Sequence, residues 1–328
     1  MPKSDFQKLS TLYILECLQE NSDESHLVTT AELIRMLDQH GISCERKTIY
    51  SDIALLQKFG ASIENKRGKN GGYYLEERDF QLSELKLLVN AVQSSRYLTQ
   101  KKSREMVAKL SKLCSRYEAQ SMQAGSVIVS GQIKNMNETI YYNIDNIQTA
   151  ILNNQQIRFH YYDWGLDHKL HPRNKVYITS PYAVHQDHEN CYLIAYSDRE
   201  KIRHYRVDRM KNIEPVDIPR DPCPELTGDA LTKYANRLFQ MFSGTPTQVK
   251  LRFHKSLINA VFDRFGSSTI LTPDGPDHVT FLAEVAVSPM FLSWIIGFGD
   301  KAQILHPQSV IDQCRELCQR VISQYPAE

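Results

Sequence analysis

The sequence predicts an α+β chain of several domains. Three observations carry that prediction: helical periodicity followed by a hairpin in the first eighty residues, short strands clustered between Gln155 and Met210, and alternating strands and helices from Thr247 to Tyr325. A chain of 328 residues has material for two or three ordinary domains. The changes of texture divide it at residues 1–80, 81–140, 141–217 and 218–328.

Formal net charge is +1 and hydrophobic residues make up 41% of the chain, so any basic surface must be local. No run approaches the roughly 18 apolar residues of a membrane helix, and the polar start lacks a signal-peptide core. A cytoplasmic protein with no membrane partner is expected. The seven cysteines (17, 44, 114, 191, 223, 314 and 318) include no C-x-x-C pair, which fits neither a disulfide framework nor a zinc ribbon.

In the first segment, Phe6, Leu9, Leu12, Tyr13 and Leu18 recur at helical spacing from about Asp5 to Glu20. "VTTAELIRMLDQHG" gives a second helix, capped by Thr29 or Thr30 and stopped by Gly41. "GISCERKTIYSDIALLQKFG" gives a third, with Ser43 as the expected N-cap, Ile49, Ile53 and Leu56 as the buried stripe, and Gly60 as the stop. Arg46, Lys47, Thr48, Tyr50 and Ser51 crowd its first turns, where a recognition helix meets phosphates and base edges.

The following "ASIENKRGKNGGYYLEE" reads as a hairpin, and helix, turn, helix, hairpin is the order of a winged helix-turn-helix. Lys66, Arg67 and Lys69 in its turn would be a solvated loop if seen alone. Beside the basic helix they read as a DNA-contacting wing. Residues 46–69 hold six basic against two acidic side chains, whereas residues 1–80 as a whole hold ten against thirteen. A domain charged on one face orients itself on a polyanion. "GKNGG" lacks the spacing and the ending of a phosphate-binding loop.

Residues 82–120 carry apolar side chains at helical spacing in two stretches, with eight basic and three acidic residues, and read as a solvated helical linker. From Tyr141 a helix leads into "QIRFHYY", "KVYITSPYAVHQ", "CYLIAYS" and "KIRHYRVDRM", the texture of a small, strongly bent, Sm-like β-barrel. The order "IRFHYY", "SPYAVH", "CYLIAYSD", "RHYRVDRM" resembles the WYL domain. The whole layout is similar to that of WYL-domain transcriptional regulators, with Cys191 standing where the naming tripeptide has tryptophan, before Tyr192 and Leu193.

The resemblance implies a domain that senses a nucleotide or single-stranded nucleic acid effector and adjusts the DNA affinity of the winged helix. The residues agree in kind. Between Arg199 and Lys211 six basic side chains face two acidic ones, a net of 4 positive. Arginine forks suit phosphates, and tyrosine rings offer stacking platforms. The candidate ligand residues are Tyr161, Ser180, Tyr182, Tyr192, Arg203, His204, Arg206 and Arg209. Period-two alternation sets His204 and Arg206 on one face, taken as the ligand surface, and Arg203, Tyr205 and Val207 on the other. The competing reading makes Arg206 and Arg209 structural ion pairs and the tyrosines core.

His168/His171 and His185/His188 are spaced like metal ligands, but neither pair has a helix to hold it or cysteines to complete a tetrahedron, so no metal or cofactor is expected. After the proline-rich "DIPRDPCPELTGD" linker, the β-α-β-β-α-β texture is that of a small ferredoxin-like domain, similar to the C-terminal extension found on many WYL regulators. Phe291, Trp294, Ile295 and Phe298 read as core or dimer contact.

The expectation is a homodimeric, ligand-responsive repressor on a palindromic double-stranded DNA operator. No catalytic triad or nucleotide fingerprint sits in a suitable context, so an enzyme is not expected. The rival reading is a nucleic-acid-processing accessory enzyme that uses the winged helix to dock substrate.

Overall fold

A computed structural model describes residues 9–68, 71–96, 98–125, 139–187 and 190–325. The chain divides into two compact units, residues 1–138 and 139–328.

The first unit begins with α1 (Ser10–Asn21), α2 (Thr30–Gln39) and α3 (Arg46–Phe59), followed by the antiparallel pair β1 (Ile63–Lys66) and β2 (Gly72–Leu75). Ile14, Leu18, Leu33, Leu37, Ile49 and Ile53 meet in one core, each worth about 1.5–3 kcal/mol when fully buried. Thr29 caps α2: its hydroxyl accepts from Glu32 N–H while the Glu32 carboxylate accepts from Thr29 N–H. Helix α3 is capped by Glu45, not Ser43. The Glu45 carbonyl accepts from Thr48 and Ile49, because Ile49 is the first residue of the buried stripe and fixes where the helical register begins. Gly60 closes α3 at φ 111°, a left-handed conformation that favours glycine.

Val28 exchanges two backbone hydrogen bonds with Tyr73, so the residue before the α2 cap adds a third rung to the hairpin. The helices α4 (Leu82–Ser94), α5 (Gln100–Leu110) and α6 (Arg116–Gly125) follow. They are not a free linker. Ser115 Oγ donates to Asp23 Oδ2 at 2.7 Å, and the Tyr117 ring stacks on His26 at 3.7 Å, so the start of α6 is fastened to the loop after α1.

The second unit opens with α7 (Ile140–Leu152) and then β3 (Gln155–Trp164), β4 (Leu170–Asp187), β5 (Asn190–Ser197), β6 (Lys201–Arg206), a 3-10 turn at Val207–Arg209, and β7 (Met210–Pro219). These strands form one antiparallel sheet in the order β6-β5-β4-β3-β7. The 18-residue β4 pairs with β3 through Thr179 and with β5 from Ser180 onward, so the sheet turns a corner along one strand. Pairing among the described residues leaves β6 and β7 at opposite ends of the strand order, and the expected barrel is an open sheet.

The sheet nevertheless curls far enough for three residues to carry the chain from one end of its order to the other. There the Arg206 N–H donates to the Tyr161 hydroxyl of β3 at 3.2 Å, and the buried Asn143 amide of α7 donates to the Met210 carbonyl at 2.9 Å. Side chains thus bridge the place where ladder pairing stops.

Helix α8 (Asp229–Arg237) follows the stretch read as a linker, and Cys223 and Leu226 of that stretch pack with Leu238, Met241 and Ile194 of β5 in a core of their own. Next come β8 (Thr245–His254), α9 (Ile258–Phe265), β9 (Thr272–Asp274), β10 (His278–Val287), α10 (Pro289–Ile296), β11 (Ala302–His306) and α11 (Gln308–Ile322). The antiparallel order β11-β8-β10-β9, with a helix in each crossover, is the ferredoxin-like arrangement. Val249, Leu251 and Phe253 alternate onto the helix-covered face, where Phe291 and Ile295 belong to the core along with a half-buried Trp294.

Candidate nucleic-acid interface and sensing domain

Helix α3 buries Ile49, Ile53 and Leu56 at helical spacing, which turns Arg46, Lys47, Thr48, Tyr50 and Ser51 to solvent. All five predicted contact residues therefore share an exposed surface, and Tyr50 keeps 49% of its area accessible. Arg46 and Lys47 form no ion pair among the described residues, so both charges are available. The hairpin divides differently. Arg67 is exposed, but Lys66 donates to the Glu24 carbonyl at 2.7 Å and lies 4.9 Å from the Tyr74 ring centre, so it braces the domain. Lys69 lies outside the described residues.

In the second unit the His204 side of β6 is taken up by contacts within the chain. His204 Nδ1 donates to the Met241 carbonyl at 2.7 Å, and its Nε2 is 3.0 Å from the Tyr234 hydroxyl, so the imidazole latches the strand to the segment around α8. Burial pushes its pKa below the ordinary imidazole value. Arg206 forks onto Asp208, with Nε and Nη2 at 3.0 and 2.8 Å from the two carboxylate oxygens. His204 and Arg206 are thus both engaged in intramolecular contacts.

The tyrosines follow suit. Tyr161 is 6% exposed and meets Tyr177 and Tyr205 edge to face, so it is core and not a stacking platform. Ser180 is fully buried and its hydroxyl accepts from the Asp221 N–H at 2.8 Å. The Tyr182 hydroxyl donates to the Asp221 carbonyl, and Tyr182 and Tyr192 pack against the Leu226 and Met241 core. Ser180, Tyr182 and Tyr192 are drawn inward by residues 221–241, a stretch whose packing onto the sheet is not visible in periodicity.

Arg203, on the opposite side of β6, is exposed. Tyr205, on the same side of the pleat, stands 5.7 Å from Tyr177 of β4, which shares its own face with Lys175 and Arg173. Lys175 lies 4.7 Å from the Tyr177 ring centre and pairs with Glu200, and Arg173 lies 4.9 Å from the Tyr161 ring centre and forks onto Asp163. These cations hold both carboxyls below the usual carboxylate range. Arg209 belongs to the same neighbourhood: its charge acts on Tyr161 and Asp163, and its buried Nε has no hydrogen-bond partner among the described residues. Arg173 and Lys175 are not among the ligand residues expected from the sequence. Their spacing of two in "HPRNKVY" was the available signal, since it places two cations and Tyr177 on one face of a strand.

No group of three or more His, Cys, Asp or Glu among the described residues is arranged to hold a metal ion. His171 pairs with Asp167, and His188 lies outside the described residues. No helix of the described chain is long and apolar enough to cross a membrane.

Comparison with known proteins places families on these spans. Residues 142–215 match the WYL domain, residues 245–322 the WCX domain, and residues 11–68 the D3 domain of FokI. No curated protein matches. Among solved structures the chain is similar to the proteasome accessory factor B/C (PafBC) of Arthrobacter aurescens, at 18% identity and a TM-score of 0.28, over 97% of this chain and 49% of that one. It is also similar to a CRISPR Cas-related protein, at 14% identity and a TM-score of 0.37, over 99% of this chain and 87% of that one. This chain thus spans about half the length of the PafBC chain. The two matched domains coincide with the curled five-stranded sheet and with the ferredoxin-like sheet, in that order, so the chain carries a WYL domain followed by a WCX domain.

Proposed function

We propose that this chain is a non-catalytic, ligand-responsive DNA-binding regulator. The carrying observation is the exposed, unpaired pair Arg46 and Lys47 at the start of α3, beside a hairpin, in a unit that acts as a winged helix. In this reading α3 enters the major groove, Arg67 and the hairpin turn contact the backbone, and two copies of the chain read a palindromic operator as a repressor.

The sensing surface is the face of Arg203, Arg173, Lys175, Tyr177 and Arg209, in a WYL domain that works as a curled, Sm-like sheet. An anionic ligand, nucleotide or single-stranded nucleic acid, takes the place of Asp163 and Glu200 against these cations and satisfies Arg209 Nε. Binding there shifts the balance between DNA-competent and DNA-incompetent states.

The test is to sequence the DNA that co-purifies with the chain, then measure affinity for that site by fluorescence anisotropy. Short single-stranded oligonucleotides and cyclic nucleotides are titrated in as effectors. A recurring inverted-repeat sequence, bound by wild type and lost on changing Arg46 and Lys47 to alanine, is expected. Equal affinity in that variant at physiological salt would overturn the DNA assignment.

A further inference from the structure

The WCX sheet leaves part of one strand without a neighbour. Strand β10 pairs with β8 over its whole length, from His278 to Val287, but on its other side β9 covers only His278 to Thr280. From Phe281 onward that side has no strand partner among the described residues. Every second residue of the run directs its N–H and C=O outward there. Such an edge is a ready template for another strand, and proteins ordinarily cover it.

Here the edge opens into a groove of about 990 Å³, bounded by α8 on one side and by the segment between α9 and β9 on the other. Its lining includes Lys233, Arg237, Lys250 and Arg264 against a single acidic residue, Glu284. Arg237 pairs with Glu284 at 2.9 Å. Arg264 is turned toward the Leu238 carbonyl and lies 3.9 Å from the Phe239 ring centre, with a buried Nε that has no hydrogen-bond partner among the described residues. Lys233 and Lys250 are exposed and form no ion pair among the described residues. Two aliphatic side chains of the groove also face water, Ile270 at 84% and Leu282 at 60% exposure. Lys250 and Leu282 are direct cross-strand partners, so a cation and an apolar side chain stand together on one face.

We propose that this groove receives an extended, acidic segment of a partner polypeptide, which adds as a strand beside β10. The unpaired edge supplies main-chain hydrogen bonds, Leu282 and Ile270 take apolar side chains from one face of the added strand, and Lys233 and Lys250 take its carboxylates. Charge complementarity selects an acidic occupant. The groove is a poor cradle for nucleic acid: Phe281 is 3% exposed and Phe265 packs into the core, which leaves no free ring for a base to stack on. This inference is independent of the DNA-binding reading, since neither α3 nor the WYL face takes part.

The experiment uses the full chain and a fluorescein-labelled decapeptide in which pairs of glutamates alternate with pairs of valines, so that each face of the extended strand carries both. Anisotropy should show saturable binding. Amide hydrogen exchange should slow in the fragment spanning Phe281 to Val285 and stay unchanged in the WYL strands. The double variant Lys233→Glu, Lys250→Glu, with both sites exposed and so expected to keep its melting temperature, should lose at least tenfold in affinity, and a lysine-valine peptide should bind it in preference. Absence of binding, equal binding by the variant, or binding without protection of β10 would overturn the proposal. A single-stranded oligothymidine that binds wild type and is weakened by the same two substitutions would also overturn it, by assigning the groove to nucleic acid.

Discussion

His204 Nδ1 lies 2.7 Å from the carbonyl oxygen of Met241, and because a carbonyl only accepts, this contact places the proton on Nδ1. Nε2 of the neutral ring then accepts from the Tyr234 hydroxyl at 3.0 Å. The ring also has Ser243 Oγ at 3.5 Å, and it feels His185, whose charge disfavours a second positive ring.

A pH dependence follows. Burial lowers the folded pKa of His204 below the unfolded value of roughly 6.5, so the unfolded chain binds a proton more readily than the folded one. The contribution is fully present above about pH 6.5 and is lost as pH falls from there through the folded value. Melting temperatures from about pH 8 down to about pH 5 should fall less steeply for His204→Gln, which keeps a donor and an acceptor, than for wild type. Parallel curves would remove His204 as the source.

At the DNA face, Arg46→Ala with Lys47→Ala removes two side chains assigned to phosphate or base contact. Stability should stay within about 0.5 kcal/mol of wild type, since both are exposed. The slope of log affinity against log salt should shrink by roughly 2. An unchanged slope would place the contacts elsewhere.

Within the sheet of the first unit, Gly72 sits where an added Cβ would meet the Val28 carbonyl oxygen at 2.7 Å. That carbonyl accepts from Tyr73 N–H and cannot retreat without breaking the rung. Gly72→Ala should cost about 1–3 kcal/mol in denaturant unfolding. A neutral result would mean that the hairpin shifts freely against residue 28.

Arg206 and Arg203 separate structure from sensing. Arg206→Ala removes the fork onto the half-buried Asp208 and should cost about 1–3 kcal/mol, between surface and buried pairs, with ligand affinity kept. Arg203→Ala should do the reverse, weakening the anionic effector with the melting temperature unchanged. The opposite pattern would return the ligand surface to the His204 side.

Cys191 is 6% exposed, and burial pushes its thiol up to about 11. In the folded chain at neutral pH it should resist iodoacetamide, and it should react once denaturant is added, as read by mass spectrometry of the tryptic peptide. Rapid modification in the native state would show that β5 opens locally.

Much of this was legible in the residues. The α3 stripe of Ile49, Ile53 and Leu56 fixes which side is wet, so Arg46 to Ser51 could be placed on the exposed surface from spacing alone. Period two also sorted β6 correctly into a His204 side and an Arg203 side. What spacing cannot say is which side a later segment will cover. The proline-rich stretch 217–229 and the residues after it carry no strand or helix signal that points to the sheet, yet they supply the Met241 carbonyl, Tyr234 and the Leu226 core that occupy the His204 side. Ser43 failed as a cap for a similar reason, since the helical register is set by the core that Ile49 must reach, and that begins the helix at Arg46.

The turn Val207–Arg209 also acts as a gauge for strand alignment. Sliding a strand by one residue would swap its two faces, turning its share of the Tyr161, Tyr177 and Tyr205 cluster to water. A bent sheet with bulges in β3 and β4 is otherwise open to that error. With only three residues to span between β6 and β7, a slip on one strand must be matched on the other, and the Asn143 amide and Tyr161 hydroxyl check the fit from two sides.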